Sequence, residues 1–172
     1  KVVKPLETSG VHGACPTVEG RSGMKPGSRR QLLVIGHGNT GRSKMIEAYV
    51  NAIAGDRWSA TSAGAEPDAK VASLTVLALA EIGLSATAGT RSTAEIEGSG
   101  SPLIDVVITV SEDAAAAATN MSRRGILTLH WPLPDPTAAA GAFEERLEIY
   151  RAVLETIRSK VEDFLAEAGS AV

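Results

Sequence analysis

Gly36, His37, Gly38, Asn39, Thr40, Gly41, Arg42 and Ser43 bring small residues and a cation together in one short stretch. Glycines let successive backbone N–H groups turn inward on an anion, and a helix starting just beyond adds its positive end. Arg42 supplies a planar fork of donors that suits a tetrahedral oxyanion. Together these are the parts of a phosphate-binding loop (P-loop). The same residues also suit an ordinary strand-to-helix turn that is Gly-rich for steric reasons.

The flanking residues provide the elements that would hold such a loop. Leu32, Leu33, Val34 and Ile35 read as a buried strand, and Lys44 to Ala54 places Met45, Ile46, Tyr49, Val50 and Ile53 at roughly helical spacing. Trp58 to Gly64 reads as a second strand. Pro67 and Asp68 lead into a helix over about Ala69 to Ile82, stopped by Gly83. Ser92 and Glu95 are spaced as a capping box that opens a short helix, and Gly98 to Pro102 breaks the chain. Leu103 to Val110 is the most β-branched run and predicts a fully buried central strand. An Ala-rich helix over Ala114 to Thr119 follows, then a strand over Gly125 to His130 and a proline-rich loop, Trp131 to Pro136. A long amphipathic helix runs from Ala142 to Glu167, with Phe143, Leu147, Tyr150, Val153, Leu154, Ile157, Val161, Phe164 and Leu165 on its inner face. Strands alternating with helices predict a parallel sheet covered on both faces, with ligands bound beyond the strand carboxyl ends.

Composition narrows the function classes. A chain of 172 residues with net charge −3 and 44% hydrophobic residues fits one ordinary globular domain. Its mild acidity gives no electrostatic reason to expect nucleic acid, and no apolar run approaches a membrane span. Residues 1–30 hold prolines, glycines and basic residues without apolar periodicity, and read as a disordered extension; residues 31–172 read as a single domain. The one cysteine, Cys15, lies in that extension beside His12 and Pro16, which excludes an intrachain disulfide and any multi-cysteine metal site. A chain without a disulfide framework fits the cytoplasm. Three scattered histidines, His12, His37 and His130, do not make a metal site, and no cofactor is expected.

The succession VIGHGNTGRS, TSAGAEP, LALAEIGL, DVVITV and HWPLPDP, ending in a long helix, resembles the low-molecular-weight protein tyrosine phosphatases. Within that superfamily the chain is most similar to the thioredoxin-coupled arsenate reductases, above all in HWPLPDPTAAAGAFEERLEIYRAVLETIRSKVEDFL. The likeness covers residues 31 to 167. It implies an α/β three-layer sandwich, with a central parallel sheet of about four strands and helices on both faces.

The resemblance also implies a chemistry, and there the chain departs from it. The family signature is Cys, five residues, Arg, Ser: the cysteine attacks phosphorus or arsenic, the arginine clamps the equatorial oxygens, and an aspartate in a later Asp-Pro pair protonates the leaving group. Asn39, Arg42 and Ser43 match the loop and Asp135 matches the acid, but Gly36 stands where the nucleophile belongs. Gly41 occupies the place of a second loop cysteine, and Ser111 and a position near Ala118 take the places of the relay cysteines. Thiol chemistry has no thiolate to use here. The resemblance therefore implies a pseudoenzyme whose loop, Gly36 to Ser43, binds phosphate, arsenate, sulfate or a phosphorylated ligand. The alternatives are an altered enzyme using Asp135 or His37, with His37 otherwise at the loop rim, and a fold kept only as an interaction platform. Retention of Arg42 argues for an anion, because an unpaired buried guanidinium is costly.

Overall fold

The computed structural model describes residues 28–98 and 103–170, so expectations for residues 1–27 and for most of the Gly98 to Pro102 break lie outside the described residues. The elements run β1 (Arg30–Gly36), α1 (Arg42–Ala54), β2 (Trp58–Gly64), α2 (Ser73–Glu81), α3 (Thr93–Glu97), β3 (Val106–Thr109), α4 (Glu112–Ala117), α5 (Thr119–Arg123), β4 (Leu127–His130), a 3-10 turn (Pro136–Ala138) and α6 (Phe143–Ser170). The four strands form one parallel sheet in the order β2-β1-β3-β4.

Period-two alternation divides the core between the two faces of this sheet. Leu32, Val34, Val106 and Ile108 face one way and pack on α1, α2 and α6 through Met45, Ile46, Leu79, Leu154 and Ile157. Leu33, Ile35 and Val107 face the other way, against Ala114, Ala118 and Met121 of α4 and α5. Burial on both faces explains why β1 and β3 read as unbroken apolar runs rather than alternating ones. From β1 the chain goes to β2 on one side of it and later to β3 on the other, so the crevice beyond the ends of β1 and β3 is the sheet's switch point.

Several details differ from the sequence reading, among them the start of β4, at Leu127 rather than Gly125. β3 begins at Val106, because Asp105 turns to cap the sheet: its carboxylate accepts the Gln31 N–H at 2.7 Å, and Leu103 is left exposed. α2 begins at Ser73, because Asp68 and Ala72 donate their backbone N–H groups to Gly38 and Thr40 instead of starting a helix. The Ala-rich segment is two short helices in succession. Phe143, expected on the inner face of α6, is exposed where that helix begins. Among the described residues no helix is long and apolar enough to cross a membrane.

Candidate functional site

The stretch from Gly36 to Ser43 caps β1 and enters α1 at the switch point, and its shape rests on Asn39. Asn39 has φ +56, the left-handed region that a short polar side chain tolerates better than most. Its buried side chain locks the turn: Nδ2 donates to Ser43 Oγ at 3.2 Å and Ser62 Oγ at 2.8 Å, and Oδ1 accepts from the Arg91 N–H at 3.0 Å. Gly64, at the end of β2, lets the loop sit close. A Cβ there would stand 2.6 Å from the His37 carbonyl oxygen, and backbone cannot yield as a flexible side chain can.

Behind the loop lies a polar cluster that carries charge into the core. Ser62 donates to Glu47, as does Thr87 at 3.0 Å, and the Lys44 ammonium sits 2.9 Å from Thr87 Oγ1 and 3.5 Å from Glu47 Oε2. Lys44 is fully buried and Glu47 nearly so. Desolvation pushes the Lys44 ammonium below its ordinary pKa, against the opposing pull of the Glu47 charge and hydrogen bond. A lysine and a glutamate three positions apart on a helix normally read as a solvated surface pair. Nothing in their spacing marks these two as buried.

Gly36 faces the middle of the loop. A Cβ on it would meet Ser43 Oγ at 3.1 Å and Val110 Cγ2 at 3.5 Å, so only a few tenths of an ångström separate this position from accepting a side chain. Arg42 opens α1 with its guanidinium nearly buried, and its pairing corrects the sequence reading. Nη1 donates to the carbonyls of Val110 at 3.1 Å and Leu133 at 2.7 Å, and Nη2 donates to Asp135 Oδ2 at 2.8 Å. Protein acceptors, not an absent anion, thus satisfy three of the five N–H groups a guanidinium carries. Among the described residues no acceptor takes Nε–H or the second Nη2–H.

Asp135 is held from its other side as well. Its Oδ1 accepts from Thr137 Oγ1 at 2.7 Å and from the Thr137 N–H at 3.0 Å. His37 turns out of the loop toward α4, with Nδ1 3.3 Å from Asp113 Oδ2, while His130 reaches Thr109 and Glu112. Among the described residues no cluster of His, Cys, Asp or Glu is arranged to hold a metal.

The loop, Asp68, Asp135 and Thr137 line a cavity of about 40 Å³. With roughly 10–15 Å³ needed per water on this measure, it has room for a few waters or one tetrahedral oxyanion. All eight loop residues named from the sequence line it, as does Asp135. Asp68 and Thr137 join the site beyond the residues that the sequence points to. The Asp-Pro-Thr sequence is an Asx-type signal that points to Thr137, whereas Asp68 reaches the loop through long-range backbone bonds that leave no local pattern.

A parallel sheet in this order, with a Gly-rich loop and a buried arginine at its switch point, defines a class of phosphatase-like α/β proteins. The chain belongs to the low molecular weight phosphotyrosine protein phosphatase family, whose profile matches residues 31–171. An arsenate reductase of Halalkalibacterium halodurans is 33% identical over 149 residues, covering 83% of this chain and 99% of the relative. Among solved structures, the arsenate reductase of Archaeoglobus fulgidus DSM 4304 matches 78% of this chain and 98% of its own, with TM-score 0.61 and 26% identity. An arsenate reductase in the phosphate binding state shares the fold, with TM-score 0.61 and 20% identity over 81% of this chain and 98% of its own.

Proposed function

We propose that this chain binds a small oxyanion (phosphate, arsenate or sulfate) or the phosphoryl group of a larger ligand in its Gly36–Ser43 loop, and that it does so without thiol turnover. The observation that carries this reading is the relation of Gly36 to Ser43. By the family resemblance the attacking thiol belongs at Gly36, where this chain carries only a hydrogen and where a Cβ would sit 3.1 Å from Ser43 Oγ. Its single cysteine, Cys15, lies outside the described residues and before the family match. Loss of a thiolate also removes a negative charge from the cradle, which favours an anionic ligand. The two unused N–H groups of Arg42, the turn at Asn39 and the start of α1 supply the donors. That an arsenate reductase of this fold has been solved in a phosphate binding state supports the same reading.

Calorimetry with inorganic phosphate tests it. Wild type binds, and Arg42→Ala and Arg42→Lys both weaken binding, since lysine keeps the charge and loses the fork. Absence of binding to wild type, or full affinity in both variants, overturns it. A second reading is a residual or altered phosphatase- or arsenate-related activity, with Asp135 activating water or His37 acting as nucleophile. The position of Asp135 on the cavity wall favours it. Steady phosphate release from an aryl phosphate, abolished by Asp135→Ala or His37→Ala, would establish that reading instead.

A further inference from the structure

Asp68 is the lining group that oxyanion binding leaves unexplained. Its backbone N–H donates to the Gly38 carbonyl at 3.0 Å, and its own carbonyl accepts from Thr90 Oγ1, so the residue is tied to the loop on one side and to Thr90 on the other. Its carboxylate rests against Gly38, where any side chain on that glycine would stand, and lines the cavity. Asp135 has both oxygens engaged by Arg42 and Thr137. The Asp68 side chain is exposed at the mouth of the cavity, and its carboxylate accepts from no protein group among the described residues. The nearly buried Arg42 side chain lines the same cavity and keeps two N–H groups that no acceptor among the described residues takes.

One guanidinium and two carboxylates are a poor lining for an anion that offers only lone pairs, because the second carboxylate repels it. The same carboxylate becomes an asset when the anion carries a proton. A P–OH or As–OH group donates to it in a charge-assisted hydrogen bond, while the remaining oxygens face the loop N–H groups and the two remaining N–H groups of Arg42. Near neutral pH inorganic phosphate and arsenate always hold at least one proton. Sulfate holds none, and a phosphomonoester, whose second pKa is about 6, is mostly without one.

We infer that Asp68 is a specificity-determining residue, which makes this loop select protonated tetrahedral oxyanions, inorganic phosphate and arsenate, over sulfate and dianionic phosphomonoesters. The inference rests on the oxyanion-binding reading above and names the ligand class of that same site.

Titration calorimetry at neutral pH with phosphate, arsenate, sulfate and phenyl phosphate, on wild type, Asp68→Asn and Glu66→Gln, tests it. Wild type should hold phosphate and arsenate roughly tenfold or more tighter than sulfate, the value of one charge-assisted hydrogen bond. Asp68→Asn should narrow that ratio several-fold, mostly by strengthening sulfate, since an amide can donate to it. Glu66→Gln removes a charge as exposed as that of Asp68 and two residues away, but one that does not line the cavity, and should leave the ratio unchanged. Equal affinity of wild type for phosphate and sulfate overturns the role of Asp68 while oxyanion binding stands. An equal gain for every anion in Asp68→Asn does the same, because it shows a general field and no proton recognition. Failure of every oxyanion to bind wild type removes both proposals.

Discussion

The Arg42 guanidinium lies 2.8 Å from the Asp135 carboxylate, so the cation that opens α1 is closed on one side by the residue of the Asp-Pro pair. The carbonyls of Val110 and Leu133 fix its other nitrogen, and the group is thereby aimed before any ligand arrives. Asp135 is more than a third exposed, so its attraction to Arg42 is partly screened by solvent.

Replacing Asp135 with Asn should loosen its hold on Nη2 of Arg42, since a neutral amide oxygen accepts more weakly than a carboxylate, and remove a negative charge from the cavity. Phosphate affinity should then rise several-fold, with a stability cost of about 1 kcal/mol for a half-exposed pair. Calorimetry and chemical denaturation on the same variant measure both. A loss of affinity would show instead that Asp135 orients Arg42 for the ligand.

Gly36→Cys should fit the fold, since its Cβ meets only Ser43 Oγ closer than ordinary contact and no positive φ is required. The new thiol would stand at the start of α1 beside a guanidinium, surroundings that lower a thiol pKa. We expect faster alkylation by iodoacetamide at neutral pH than in the unfolded variant, and release of p-nitrophenol from its phosphate ester where wild type gives none. A thiol that is buried, unreactive and without turnover would show that the loop has lost more than its nucleophile.

Much of this architecture is legible because local physics writes it. The limits of β2 (Trp58–Gly64) follow from flanking small and charged residues, the Ser92–Glu95 capping box forms as its spacing requires, and Gly83 takes its φ of +76 past the end of α2. What the sequence conceals is set by contacts across the chain. Arg42 finds acceptors 68, 91 and 93 residues away, and no periodicity reports them. Lys44 and Glu47 look like a surface pair, and Ser62 looks like one more small residue, until the sheet brings them behind Asn39. A guanidinium with protein acceptors can persist for structure alone, so retention of Arg42 does not by itself demonstrate an anion. The two N–H groups it keeps unused among the described residues are the better argument.

Asn39→Ala should be more damaging than Asn39→Gly. Both lose the bonds to Ser43, Ser62 and the Arg91 N–H, but alanine must also hold a φ of +56 that glycine adopts freely. We expect a loss of about 2–3 kcal/mol for alanine and roughly 1 kcal/mol less for glycine. Phosphate binding should fall in both, because the loop N–H groups no longer converge. Equal denaturation midpoints for the two variants would show that the backbone at this position is not held left-handed.

The Lys44–Glu47 pair gives a test with a defined pH dependence. Lys44→Met alone leaves the Glu47 carboxylate buried without a cation and should cost about 3–5 kcal/mol, most of it recovered when Glu47→Gln is added. Because desolvation lowers the Lys44 pKa from 10.5, the folded protein sheds this proton before the unfolded chain does. Between those two pKa values the unfolded state binds more protons, so folding stability rises with pH. Below that window lysine is charged in both states and the burial penalty is fully present; through the window it fades, and it is gone above 10.5. Wild type should therefore gain stability relative to the Lys44→Met/Glu47→Gln double variant as pH is raised from neutrality toward 10.5. The buried tyrosines, common to both proteins, cancel in the difference. Denaturant midpoints measured in parallel across that range read the slope, and a flat or falling difference would mean that Glu47 and Thr87 hold the ammonium more strongly than burial opposes it.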